Sequence, residues 1–203
     1  YLLEQGIADQ DYLDMIRAGV REEIERGLEI TYSEEDITPD DQRELGDMFA
    51  KSPDPISVPS GSPVSEKRFL DAITDAMFQG MERNPNLVIM GQDIASYGGV
   101  FKITEGFMEV FGEERVRNTP ICESAIVAAA YGLSVNGMKA VMEMQFADFV
   151  SSGFNPIVNL LAKSNYRWNQ NADVVVRMPC GAGVGAGPFH SQTNEAWFTK
   201  TPG

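Results

Sequence analysis

Residues 114–145 read ERVRNTPICESAIVAAAYGLSVNGMKAVMEMQ. "ERVRN" at the front and "MKAVMEMQ" at the back have the short apolar character of strands. Between them "SAIVAAAYGLSV" is a run of small residues that lets a helix pack closely on a sheet. The same alternation extends in both directions. Upstream, "EKRFLDAITDAMFQGM" places Phe69, Leu70, Ile73, Ala76 and Met77 on one helical face. "NLVIMG" follows as a strand, and "TEGFMEVFG" as a short helix expected to be capped by Thr104 and closed by Gly112. Downstream come a helix through "NPIVNLLAK" and a β-branched strand in "ADVVVRMP", apolar throughout as buried parallel strands tend to be. Helices and strands alternating in this way predict an α/β layered domain with a mostly parallel sheet. Ligands of such sheets sit beyond the carboxyl ends of the strands. Glu123, Gln145 and the segment after Pro179 all fall at strand ends and are expected to share one rim.

The front of the chain is different. Tyr12, Ile16, Val20, Ile24 and Leu28 recur every fourth residue among acids and arginines, the pattern of an amphipathic helix. "TPDDQRELGDMF" predicts a second, short helix with Thr38 as cap and Pro39 in its first turn. "KSPDPISVPSGSP" then reads as an extended linker. The expected organisation is a helical tail over 1–50, a linker over 51–63 and a domain over 64–203.

Composition narrows the function. Apolar residues make up 43% of the 203, enough for a core, and no apolar run approaches the length of a membrane span. No secretory signal opens the chain. The net charge of −14 is concentrated in residues 1–56, which carry 16 acids and 5 bases against 14 and 11 in the rest. No basic stripe offers itself to a phosphate backbone, which argues against nucleic acid as a partner. Cys122 and Cys180 lie far apart in apolar or glycine-rich settings, so reduced thiols in a cytoplasmic protein are expected. A start at Tyr1 and an end at "TPG" suggest a piece of something longer.

Two residues draw attention as chemistry. Glu123 is the one charged residue in "NTPICESAIVAAAYGLSVNG", with no cation among its neighbours in sequence. It reads either as an acid at the positive end of a helix dipole or as a group set to meet a ligand. His190, the only histidine, lies in "CGAGVGAGPFHSQ". Lone histidines are often structural, yet a glycine-dense loop at a strand end keeps backbone thin beside a ligand. Gly181, Gly183 and Ala186 spell a weak dinucleotide-binding pattern, but Pro188 follows where a helix would have to begin. The chain lacks the G-x-S-x-G of a serine hydrolase, and one histidine with two distant cysteines gives no zinc spacing.

"GQDIASYGGVFKITEGF", "RVRNTPICESAIVAAAYG", "QFADF" and "GPFHSQ" occur in an order that resembles the beta part of the thiamine-diphosphate-dependent decarboxylating component of 2-oxo acid dehydrogenase complexes. Transketolase shares that fold. The resemblance covers Val64 to Gly203 and implies a three-layer thiamine-diphosphate-binding fold, with this segment as its pyrimidine-binding domain. Residues 1–50, with "YLLEQGIADQDYLDMIRAGVREEIERGLE", resemble the end of the alpha part of the same enzymes, which would make the whole a fused alpha–beta chain.

The resemblance assigns roles. Glu123 would hydrogen-bond a ring nitrogen of the aminopyrimidine and favour its imino tautomer. Phe149 would pack on that ring, where other members carry tyrosine, and Ile121 and Gln145 would line the same pocket. His190 would handle the carboxylate of the 2-oxo acid or the incoming lipoyl group. Gln92 and Asp93 stand where members often have Glu-Glu or Glu-Asp. No G-D-G motif is present, so magnesium and the diphosphate are expected to be held by the alpha part, and the piece alone is expected to be inactive. Implied partners are a second copy or the alpha part, a lipoyl-bearing acyltransferase and a 2-oxo acid. "QFADF" favours branched-chain substrates over pyruvate. The alternative is an α/β interaction or regulatory module that kept the fold without the chemistry.

Overall fold

The computed structural model describes residues 1–51, 61 and 64–203, so the linker expected over 51–63 lies almost wholly outside the described residues. The chain divides into two units, Tyr1–Asp41 and Gln42–Gly203.

In the first unit, α1 runs over Gln10–Ser33, and the Asp9 carboxylate caps it by accepting from the Tyr12 amide at 2.8 Å. The stripe Tyr12, Ile16, Val20, Ile24, Leu28 lies along this helix and is exposed throughout. The short helix α2 (Asp41–Asp47) starts later than Thr38 predicts. It falls almost entirely in the second unit, where Asn165 donates to the Asp47 carbonyl at 2.8 Å and the Tyr166 hydroxyl donates to Glu44.

The second unit is built on β1 (Leu87–Gly91), β2 (Val116–Asn118), β3 (Lys139–Glu143) and β4 (Val174–Arg177), all parallel in the order β2-β1-β3-β4. Its helices are α3 (Phe69–Arg83), α4 (Phe107–Phe111), α5 (Glu123–Val135), α6 (Val150–Pro156) and α7 (Ser164–Trp168). Successive residues of a strand point to opposite faces, and β1 shows the result. Leu87 and Ile89 join Met81, Phe107 and Val116 on one side, while Val88 and Met90 join Ile126, Val127, Ala130, Met142 and Val150 on the other. Helices cover both faces, giving an α/β domain of three layers. Met142 and Met144, two of the methionines alternating along "MKAVMEMQ", are fully buried.

Two local expectations change. Thr104 does not cap α4; the cap is Gly106 in left-handed conformation, and the buried Thr104 hydroxyl donates to the Ile94 carbonyl at 2.6 Å. An L-residue with a side chain would be strained at that cap, and glycine is not. β4 is apolar but not buried as expected. It is one of the two edge strands of the described sheet, and Val175 is 57% exposed. An apolar hollow of about 460 Å³ opens beside it against α3, lined by Ile73, Met77 and Val141 among others.

β1 leads through α4 on one face to β2, whereas β3 leads to α6 on the opposite face. The connections diverge between β1 and β3. In open parallel sheets the carboxyl ends beside such a divergence are where ligands bind.

Candidate active site

The end of β1 supplies the centre of the site. Gln92 and Asp93 follow Gly91, and their side chains reach in different directions. Gln92 Nε2 donates to Glu123 Oε1 at 3.2 Å, with both side chains buried. Gln145 Nε2, just past β3, donates to Asp93 Oδ2 at 3.3 Å. Asp93 has φ 56, a left-handed conformation that an aspartate tolerates better than most residues and that turns the chain sharply off the strand.

Glu123 is the first residue of α5 and is 8% exposed. Among the described residues no cation pairs with it, and Oε2 accepts no hydrogen bond. Both sequence readings therefore meet at this residue: it sits in the first turn of a helix, and it also keeps one oxygen free. Gln92, its partner, enters the sequence reading only as a position of the family resemblance, and the pairing itself has no sequence signal. Two residues some thirty positions apart give no periodic signal, and only pairing across the sheet joins them.

Next along the rim is an aromatic group. Phe146, Phe149 and His190 meet edge to face, with the imidazole 4.9 Å from the Phe146 ring and 5.4 Å from the Phe149 ring, centroid to centroid. Phe101 adds a further edge contact to Phe146 at 5.9 Å. Gln145 and Phe146 are neighbours in sequence, so the polar and aromatic parts are continuous. Ile121 stands apart from both, 81% exposed ahead of α5. The glycine loop after Pro179 forms only short turns, Ala182–Val184 and Gly187–Phe189, and no helix that could receive a dinucleotide phosphate.

Below the rim, Glu143 at the end of β3 faces Arg177 at the end of β4. Their Oε2 and Nη1 atoms lie 2.5 Å apart, yet neither atom has an aligned hydrogen-bond partner. The contact is a charge pair without full directional bonding. Burial pushes the Glu143 carboxyl above the ordinary carboxylate range, and Arg177 offsets this only in part. An alanine at Gly99 would bring its Cβ to 3.3 Å from Glu143 Oε1, so the loop after β1 is packed down onto this pair.

Cys122 and Cys180 are free thiols. Among the described residues no cluster of three metal-ligating side chains forms, and no helix is long and apolar enough to cross a membrane.

A layered α/β domain with a buried carboxylate at its strand-end rim narrows the protein to a class, and comparison with known proteins gives the family. The family model described as "Transketolase, pyrimidine binding domain" matches residues 65–203. The chain belongs to that family. Among curated relatives, the 2-oxoisovalerate dehydrogenase subunit beta of Bacillus subtilis is 44% identical over 142 residues, 69% of this chain and 43% of that protein. The pyruvate dehydrogenase E1 component subunit beta of Acholeplasma laidlawii is 39% identical over 136 residues, 66% of this chain and 42% of that one. A solved "Split gene transketolase, inactive beta4 tetramer" is similar at TM-score 0.43 and 23% identity over 55% of this chain and 33% of its own. The chain thus spans less than half the length of the curated relatives described.

Proposed function

We propose that this chain provides the pyrimidine half-site of a thiamine-diphosphate-dependent 2-oxo acid dehydrogenase, with a branched-chain 2-oxo acid favoured over pyruvate as substrate. The observation that carries the reading is Glu123: a buried carboxylate with one oxygen held by Gln92 and the other unengaged at the strand-end rim. Such a carboxylate suits a ligand that brings its own ring nitrogen. It would be poorly explained as a structural ion pair, because among the described residues no cation meets it.

Thiamine diphosphate, when bound, supplies the electron sink that no protein side chain offers. The protein's part is to hold and tune it. Gln92 fixes Glu123 Oε1 and leaves Oε2 to share a proton with the pyrimidine ring nitrogen. Burial of Glu123 keeps that proton from exchange with water. Phe149 offers a ring face for stacking and Gln145 lines the pocket wall, whereas Ile121, 81% exposed, stands away from it. His190, held against Phe146 and Phe149, serves the carboxylate of the 2-oxo acid or the incoming lipoyl group. Magnesium and the diphosphate fall to the alpha part. The preference for branched-chain acids is supported by the 44% identity to a relative named for 2-oxoisovalerate. The family match starts at residue 65. Residues 1–50 we read as the end of an alpha part on the same polypeptide, with a lipoyl-bearing acyltransferase as the further partner.

Glu123→Gln in the full-length protein tests the proposal. Turnover of 2-oxoisovalerate and pyruvate, followed with an artificial electron acceptor, is expected to fall about 10²- to 10⁴-fold, the usual worth of a positioned acid–base group. Unchanged turnover would overturn the role given to Glu123, and a native protein inert toward both acids would favour a non-catalytic relative of the fold.

A further inference from the structure

The loop that carries His190 is tied to the body of the domain by the turn at residues 146–149. Where the loop begins, the Ala147 amide donates to the Pro179 carbonyl at 2.8 Å. Beyond His190, Asn194 Nδ2 donates to the Ala147 carbonyl at 2.9 Å, and the Gln192 amide donates to Asp148 Oδ1 at 3.3 Å. Between these anchors the loop is mostly exposed and contains Gly181, Gly183, Gly185 and Gly187, three of them at positive φ. Its own hydrogen bonds are local, from the Ala186 amide to Ser191 Oγ and from the Gln192 side chain to the Pro188 carbonyl. Glycines of this density do not fix where an imidazole sits. The anchors must.

Asp148 is the unusual anchor. It is 8% exposed, and its Oδ2 is buried without a hydrogen-bond partner. A carboxylate is costly in such a place, and the hydrogen bond it accepts from the Gln192 amide offsets part of that cost. Asp148 also sits between Phe146 and Phe149, the two rings that contact the imidazole. One short turn therefore sets both the rings under His190 and the backbone two residues beyond it. We propose that Asp148 is a positioning residue for His190, acting through the Gln192 amide to hold the imidazole over the Phe146–Phe149 edge. The chemical consequence rests on the proposed function; the tether itself does not.

The test uses Asp148→Ala and Asp148→Asn in the full-length protein. Hydrogen exchange of the 180–194 segment in the resting protein reads the tether directly. Asp148→Ala should exchange faster there, and Asp148→Asn should match the native protein, because its amide oxygen accepts the same bond. Steady-state kinetics with the 2-oxo acid should show kcat lowered about a hundredfold in Asp148→Ala, as expected for a displaced reactive group, with thiamine diphosphate affinity unchanged and kcat restored in Asp148→Asn. Native exchange and kcat in Asp148→Ala, or equal damage in Asp148→Asn, would overturn the proposal. Faster exchange together with a native protein inert toward 2-oxo acids would keep the tether and reject the functional reading beneath it. If Asp148→Ala does not fold, Asn194→Ala cuts the neighbouring anchor from the loop side and must give the same pattern of exchange and kcat.

Discussion

Arg177 and Glu143 show at the residue scale how closely the site's foundations are poised. Buried ion pairs give little net stability, yet breaking one leaves an uncompensated charge. Arg177→Met should therefore destabilise the domain by about 3 to 5 kcal/mol near neutral pH. The sign of its pH dependence follows from Glu143. Its folded pKa is raised above the unfolded value, so the folded chain binds this proton more tightly than the unfolded one. Ionised Glu143 costs stability above its folded pKa, and the cost fades as pH falls through that value. The deficit of Arg177→Met should accordingly shrink on acidification, as measured by urea unfolding at neutral and mildly acidic pH. A deficit that grew on acidification would contradict this account. Residues of this kind were hard to read in the sequence. Glu143 lies inside an apolar strand and Gln92 carries no charge, so their importance depends on which neighbour the sheet brings alongside.

At the scale of elements, β1, β3 and α5 were legible because each buries an apolar pattern locally consistent with its own period. Neither β4's exposure nor the cap of α4 was. "VVVR" reports an apolar strand whether or not a further layer covers it, and Thr104 is a good cap by type that finds a stronger use inside. The contrast between strands can be measured in the 203-residue chain. Met142→Ala, at a fully buried position, should cost about 2 to 5 kcal/mol. Val175→Lys, at a position 57% exposed, should change stability by less than about 0.5 kcal/mol. Denaturant midpoints compare the two directly, and a large loss for Val175→Lys would mean that β4 is covered in solution.

At the scale of the whole molecule, the rim was anticipated as a location, but its connectivity was not. The sequence places Glu123, Gln145 and His190 at strand ends, and long-range contacts then join Glu123 to Gln145 through Gln92 and Asp93, and His190 to the 146–149 turn. Ile121 remains outside these contacts. If the cofactor's diphosphate and magnesium are held by another part of the enzyme, the 203-residue chain should bind thiamine diphosphate with magnesium only weakly. Isothermal titration checks this, and micromolar or tighter binding would show that the grip is complete here.

Gln92 and Asp93 are consecutive, so one peptide unit serves as the hinge pin between the start of α5 and the chain just past β3. Rotating that unit to improve the grip on the acid of α5 would drag at the amide beyond β3, and the reverse holds as well. Changes that retune either contact should therefore come in pairs, with variants at position 92 rescued more readily from position 93 or 145 than from anywhere else on the rim.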